Sequence, residues 1–346
     1  MTKVADIDYT YTGSESYQPP SVGLRDPQGR EYFPYLPEPG LKKALNLAIA
    51  LQRPLLLEGE PGCGKTRIAS ALAYELSCKQ LGKNKHPNPT KPADWWNFYI
   101  WNVTSSSRAQ DGLYTFDAVG RLRDAQLMGT DPQRLQQFLG DEAQALEQRM
   151  QDKTQYRKFG ALGEALQDQP HRPVLLIDEI DKADSDFPND LLLELDELRF
   201  TIPETNEPVG PPEPHNKPIV LITSNREKPL PEPFLRRCLY YYVPFPQADT
   251  LKRIIQARFG ERIAKKDQLV NQALEKFAAI HTLLERQPSS RPPGTSELLE
   301  FLTALIQDGK PVEAAIAELD NLAEELPLLG TLIKTKSDQD LYVKGR

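Results

Sequence analysis

Cysteine and histidine are scarce: three cysteines (Cys63, Cys78, Cys238) and four histidines in 346 residues. So few cysteines, and an odd number, exclude a disulfide framework. His86, His171, His215 and His281 lack the spacing of a zinc site. There is no apolar run of about 18 residues, so no transmembrane helix is expected. Met1–Gly13 has neither a basic start nor an apolar stretch, which points to a reduced, cytoplasmic protein. Basic charge is in deficit, with 42 Lys plus Arg against 49 Asp plus Glu and a net charge of −7. A chain that lives on nucleic-acid phosphates usually needs the opposite balance, so a nucleic-acid partner is disfavoured. Proline is the residue in excess, 31 in all or about 9%, against an average near 5%. It clusters, and so marks boundaries.

Residues 1–36 hold Pro19, Pro20, Pro27 and Pro34 without a sustained helical or strand period, and are expected to form an extended arm. A helical spacing follows through Leu41, Ala44, Leu45, Ala48 and Leu51, closed by Pro54. Five short apolar runs then read as buried strands: Leu55–Leu57, Phe98–Val103, Val174–Ile177, Ile219–Thr223 and Leu239–Val243. Helical patterns separate all but the last, which predicts an α/β body with a parallel five-stranded sheet and flanking helices over 37–246. After Pro246 helix follows helix with no strand between (Leu251–Phe259, Gln268–Glu285, Ser296–Ile306, Val312–Glu325), predicting a small all-α domain over 247–330 and a tail at 331–346. Insertions are expected near 79–97 (Lys79, Lys83, Lys85, Lys91, then Trp95 and Trp96), near 131–170 (helical spacing through Leu135, Phe138 and Leu146), and near 201–218. The last holds six prolines and reads as a hairpin or projecting loop.

Gly59-Glu60-Pro61-Gly62-Cys63-Gly64-Lys65-Thr66 fits G-x-x-x-x-G-K-[ST] between an apolar strand and a helical pattern (Ile68, Leu72, Leu76). Glycines let the backbone wrap a pyrophosphate, and successive N–H groups with the helix dipole favour the anion. Residues Glu60 to Arg67 are the candidate nucleotide-binding set. Lys65 would reach the β- and γ-phosphates, and the Thr66 hydroxyl would ligate Mg²⁺. Cys63 lies inside this loop, where positive potential would lower its pKa, although a structural role fits it better. The strand Val174–Ile177 ends in Asp178 and Glu179, at the strand end where open α/β sheets bind ligands. Asp178 would hold Mg²⁺ through its water shell, and Glu179 would polarise an attacking water.

Those two motifs, with Ile222-Thr223-Ser224-Asn225 and Leu235-Arg236-Arg237-Cys238 after them, resemble AAA+ ATPases, and more narrowly the MoxR branch, over about residues 35–310. The resemblance implies a P-loop fold with a helical lid. It implies that Asn225 is sensor 1, against the alternative of an Asn turn before Pro229. Arg237 would be an arginine finger acting on a neighbouring subunit, with Arg236 as the second candidate. Asn102 would be the polar residue that switches Glu179. Asp111–Asp117 would be the insert after the second strand, and 201–218 the hairpin before sensor 1; both also fit plain surface loops. Arg291 is the candidate for sensor 2, since the helix opening at Thr295 or Ser296 has no arginine in its first turn.

The function this implies is a Mg²⁺-dependent ATPase, ATP hydrolysed at the interfaces of a homo-oligomeric, hexameric ring that remodels a protein client. A von Willebrand factor A-domain protein is one such partner. Two alternatives share the core: the ATPase of a nucleic-acid-acting or defence system, for which only the Lys79–Trp96 stretch speaks, and a nucleotide switch with negligible turnover. The tryptophans fit packing against the sheet better than a nucleic-acid surface.

Overall fold

The computed structural model describes residues 7–82, 85–129, 140, 142–210, 216–306 and 310–344. Lys83, Leu135, Phe138, His215 and the 211–215 part of the expected hairpin lie outside the described residues. All five apolar runs are strands of one parallel sheet: β1 (Leu55–Glu58), β2 (Phe98–Asn102), β3 (Val174–Asp178), β4 (Ile219–Ser224) and β5 (Leu239–Tyr242), in the order β5-β1-β4-β3-β2. Val174 is opposite both Phe98 and Ile219, so β2, β3 and β4 start level. Leu55–Leu57, Val174–Ile177 and the whole of β4 are buried, as strands covered on both faces must be. Helices flank the sheet, and further helical elements matching a small all-α lid follow it.

The described chain divides into two compact units. Leu47–Leu56 and Asn97–Tyr240 form one; Asn46 and the residues before it, Leu57–Trp96, and Tyr241 onward form the other. In the first unit Trp101 packs edge-on against Phe187, at 5.4 Å between ring centroids. A Cβ on Gly112 would come within 2.1 Å of the Trp101 ring, so only glycine allows the short helix Ala109–Leu113 to lie there. Tyr114–Phe116 pairs antiparallel with Arg157–Phe159, and Phe200–Ile202 with Glu207–Val209. Tyr114 stacks on Phe200 and its hydroxyl donates to Glu204 at 2.9 Å, which ties the first of these ribbons to the second.

In the second unit, Lys65–Leu81 is a helix whose Ile68, Leu72 and Leu76 are buried at helical spacing. It stops at Gly82, at φ 98°, whose N–H returns to Cys78 O. The expected arm runs against this helix. Glu75, 1% exposed, accepts from Thr12 N, Thr12 Oγ1 and Gly13 N, and pairs with Lys79 at 3.1 Å. Tyr32 of the arm packs at a tilt against Trp95 and Tyr74. Trp95, Trp96 and Trp101 are all buried, as packing residues are. The helices Ala248–Phe259, Asp267–Glu285, Thr295–Leu305, Val312–Asp320 and Leu326–Leu332 close a core around Phe277 and Phe301. Much of the expected tail is a helix, Lys336–Lys344, with Leu341 and Tyr342 against that core. No helix among the described residues is long and apolar enough to cross a membrane.

Removing a buried carboxylate that ties several donors is destabilising. Glu75→Ala should cost about 3 kcal/mol and release the arm. Urea unfolding measures the first, and faster tryptic cleavage after Arg25 or Arg30 the second.

Candidate functional site

Each unit carries its own cluster of polar groups at strand ends. In the second, the loop after β1 follows from its glycines. Gly62 and Gly64 have φ of 78° and 91°, in the left-handed region, and Gly64 is the N-cap of helix Lys65–Leu81. A Cβ on Gly59 would come within 2.5 Å of Val243 O. Lys65 is 6% exposed, and its ammonium donates to Gly59 O at 2.7 Å and Glu60 O at 2.8 Å. It also reaches Cys63 Sγ at 3.8 Å. Among these hydrogen-bond partners the buried ammonium meets two carbonyls and a thiol and no carboxylate, and a phosphate would supply negative charge there. Thr66 and Arg67 are exposed at the mouth of the loop. Of the two readings of Cys63, the structural one fits. Burial pushes its thiol up, and the nearby Lys65 offsets this only in part, so the loop does not activate it.

Beside the loop is a cavity of about 370 Å³. Its walls come from Tyr35 and Leu36 of the arm, Gly62 and Gly64 of the loop, Val243–Pro246, Thr250, and Thr295, Ser296 and Leu299. Apolar walls next to backbone amides suit a nucleotide base beside its phosphates. The sequence reading missed the arm's part in this cavity, since nothing local in Phe33–Leu36 signals a ligand. Arg67 and Arg258 also line it, and the Arg258 guanidinium lies 3.7 Å above the Phe33 ring. Arg291 is exposed, and the cavity walls come from Thr295 and Ser296 on the same approach.

The helix at Thr295 meets the phosphate loop. Its N-cap is Gly294, not Thr295 or Ser296, and Gly294 N–H donates to Glu297 at 3.0 Å. Thr295 N–H donates to Gly62 O at 3.2 Å, and a Cβ on Gly62 would approach Gly294 Cα to 2.8 Å. Two glycines therefore permit the contact.

The first unit holds the acidic cluster. Glu179, directly after β3, takes φ 57° and ψ 51°, a left-handed conformation that costs a non-glycine residue about 1–3 kcal/mol. Thr223, opposite the end of β3, accepts from Glu179 N–H at 2.8 Å and donates to Asp178 Oδ1 at 2.6 Å. Asn225 Nδ2 donates to Glu179 Oε1 at 2.9 Å, and the Lys182 ammonium takes the other oxygen, an interaction that also raises the lysine's own pKa. Asp181 is 2% exposed and accepts from Asn225 N–H and Glu227 N–H at 3.0 and 2.7 Å. The structure thus brings Asp178, Glu179 and Asn225 together, and adds Thr223, Asp181 and Lys182. Asn102 is exposed at the end of β2, level with Asp178. Arg237 closes the helix Glu232–Arg237, with its side chain half-exposed.

Within each unit the donors fit the expected ligands. The phosphate loop offers amides and an ammonium to phosphates, and its Thr66 hydroxyl is a hard oxygen donor of the kind Mg²⁺ takes. In the other unit the Asp178 carboxylate is a donor of the same kind.

A family model for AAA, the ATPase family associated with various cellular activities, matches residues 55–244, more than half of the chain. No curated protein matches. Among solved structures, that of PCH-2 from C. elegans is similar at 16% identity and a TM-score of 0.39, covering 82% of this chain and 68% of that one.

The glycine pair gives a direct test of the loop. Gly62→Ala would put a side chain at positive φ, costing about 1–2 kcal/mol, besides the clash with Gly294. Fluorescent-ATP titration should show at least about a fivefold loss of affinity, and Gly294→Ala should reproduce it through the same contact.

Proposed function

The chain belongs to the AAA family of ATPases, and from that membership, which implies ATP binding and hydrolysis, we propose a MoxR-like remodelling ATPase. In this reading copies assemble into a hexameric ring, hydrolyse ATP at their interfaces with Mg²⁺, and act mechanically on a protein client such as a von Willebrand factor A-domain protein. The observation that carries it is the Glu179–Asn225 hydrogen bond beside the Thr223–Asp178 pair. A module that only bound nucleotide would need no carboxylate locked into a strained backbone and aligned by an amide.

The roles follow from the chemistry of each group. The loop amides from Gly62 to Thr66 and the Lys65 ammonium hold the β- and γ-phosphates. Thr66 and Asp178 are the residues that would hold Mg²⁺, which when bound would supply positive charge against those phosphates. Glu179 orients a water and accepts its proton, while Asn225 keeps the carboxylate on line. Arg237 of a neighbouring copy offsets the charge that builds on the γ-phosphate, an effect worth about 10³–10⁵ in rate in related chemistry. The cavity at Tyr35, Phe245 and Leu299 takes the base, so the 1–36 arm belongs to the nucleotide site. The body over 37–246 and the lid over 247–330 would change their relation with nucleotide state and so do work. A net charge of −7 suits a protein client better than a polyphosphate one.

Glu179→Gln keeps the shape and removes the base. Turnover should fall by at least about 100-fold while ATP stays bound, and solution mass with ATP and Mg²⁺ should rise to six times the monomer. Unchanged turnover would remove Glu179 from its role, and a monomer at every concentration would overturn the ring.

A further inference from the structure

We propose that Asp196 is the positioning residue that aims Arg237, an inference that rests on the reading of Arg237 as a finger. The Arg237 Nε donates to Asp196 Oδ2, and its Nη1 donates to Pro233 O at 3.1 Å. A guanidinium carries five N–H donors in a rigid planar fork. With Nε and one Nη1 proton engaged, the three that remain sit on the two terminal nitrogens. That edge presents paired donors to two phosphate oxygens at once. Asp196 therefore occupies the one nitrogen that an end-on phosphate contact through Nη1 and Nη2 does not use.

The backbone beneath the finger is held as well. Arg53 Nε donates to Arg237 O at 3.1 Å, and Arg53 Nη2 reaches the carbonyls of Arg236 and Cys238. Carbonyls at a helix end have no partner inside the helix, so this arginine caps the helix Glu232–Arg237 from outside. Arg53 stands two residues before β1, the strand that leads into the same chain's phosphate loop. The finger is thus fixed at its root by Arg53 and along its length by Asp196.

A plain surface ion pair is the competing explanation, and the exposures bear on it. The Arg237 and Asp196 side chains are 41% and 43% exposed, and a pair so exposed adds little to stability. Arg236 has its own partner in Glu232, so Asp196 is not needed to balance it. The effect left to Asp196 is orientation: it restricts a long, rotamer-rich side chain to one direction before the neighbour's nucleotide meets it.

The test measures turnover and ATP affinity in Asp196→Asn, Asp196→Glu and Arg237→Ala, then in mixed assemblies. Asp196→Asn should lower kcat by about tenfold or more, leave ATP affinity and the unfolding midpoint unchanged, and be partly rescued by Asp196→Glu. Mixed with Glu179→Gln subunits it should regain activity, because an intact finger from one chain then faces an intact Glu179 in the other. Mixed with Arg237→Ala it should not, since neither chain supplies an aimed finger. Full turnover in Arg237→Ala would remove the finger reading, and this inference with it. An inactive Arg237→Ala beside a fully active Asp196→Asn would overturn the inference alone. So would an Asp196→Asn defect that Glu179→Gln subunits fail to complement, since the damage would then lie in that chain's own site.

Discussion

A parallel sheet buried on both faces cannot present polar side chains along its length, because each would lose its hydrogen bonds to water. Polar groups are therefore forced to the strand ends, and here the register decides which of them meet. Ile222 lies opposite Ile177, so the next residue of β4, Thr223, falls level with Asp178. Its hydroxyl suits the place because one oxygen can accept from Glu179 N–H and donate to Asp178 Oδ1 at once. A slip of one residue between these strands would bring a different side chain to that point and leave Asp178 and the Glu179 amide without a common partner. The strained backbone at Glu179 persists because this bond, the Asn225 amide and the Lys182 ammonium together hold it from three sides.

The phosphate loop solves a different problem with the same economy. It must expose amides without side chains in the way, which requires residues at positive φ, and Gly62 and Gly64 supply them. The same absence of side chains lets the loop touch the helix that starts at Thr295. That contact is made of backbone: Thr295 N–H on Gly62 O, with Gly294 against Gly62.

What the sequence made legible was what depends on neighbours along the chain. Strands read as apolar runs, the loop as its glycines and lysine, and the Asp178–Glu179 pair as acids ending a strand. The P-loop body with a helical lid followed from their order. Thr223 stayed hidden because a threonine in Ile-Thr-Ser-Asn looks like any strand end until the register is known. Asp181 follows two acids within three residues, and nothing along the chain marks it as the buried one that anchors the Asn225 loop. Nor does the local sequence mark Glu75, whose partners Thr12 and Gly13 are more than sixty positions away. Cys63 shows the same limit, since the sequence shows the lysine beside it and not the burial that outweighs the lysine and suits a structural role.

The helix at Thr295 opens on an acid rather than a base. Its first turn has no arginine, and Glu297 folds back onto Gly294 N–H instead. An acid in the first turn of a helix is favourable by itself, because it meets the positive end of the dipole and satisfies a free donor. The sequence has therefore spent this position on capping, and the positive charge near the cavity comes from Arg67 and Arg258. A charged side chain on a lid helix would report on phosphates through Coulomb forces that reach several ångströms. Backbone against backbone at Gly62 and Gly294 reports only through contact, which fails abruptly when the surfaces separate. In this chain the contact between loop and helix is consequently short-ranged, made by backbone at Gly62, Gly294 and Thr295.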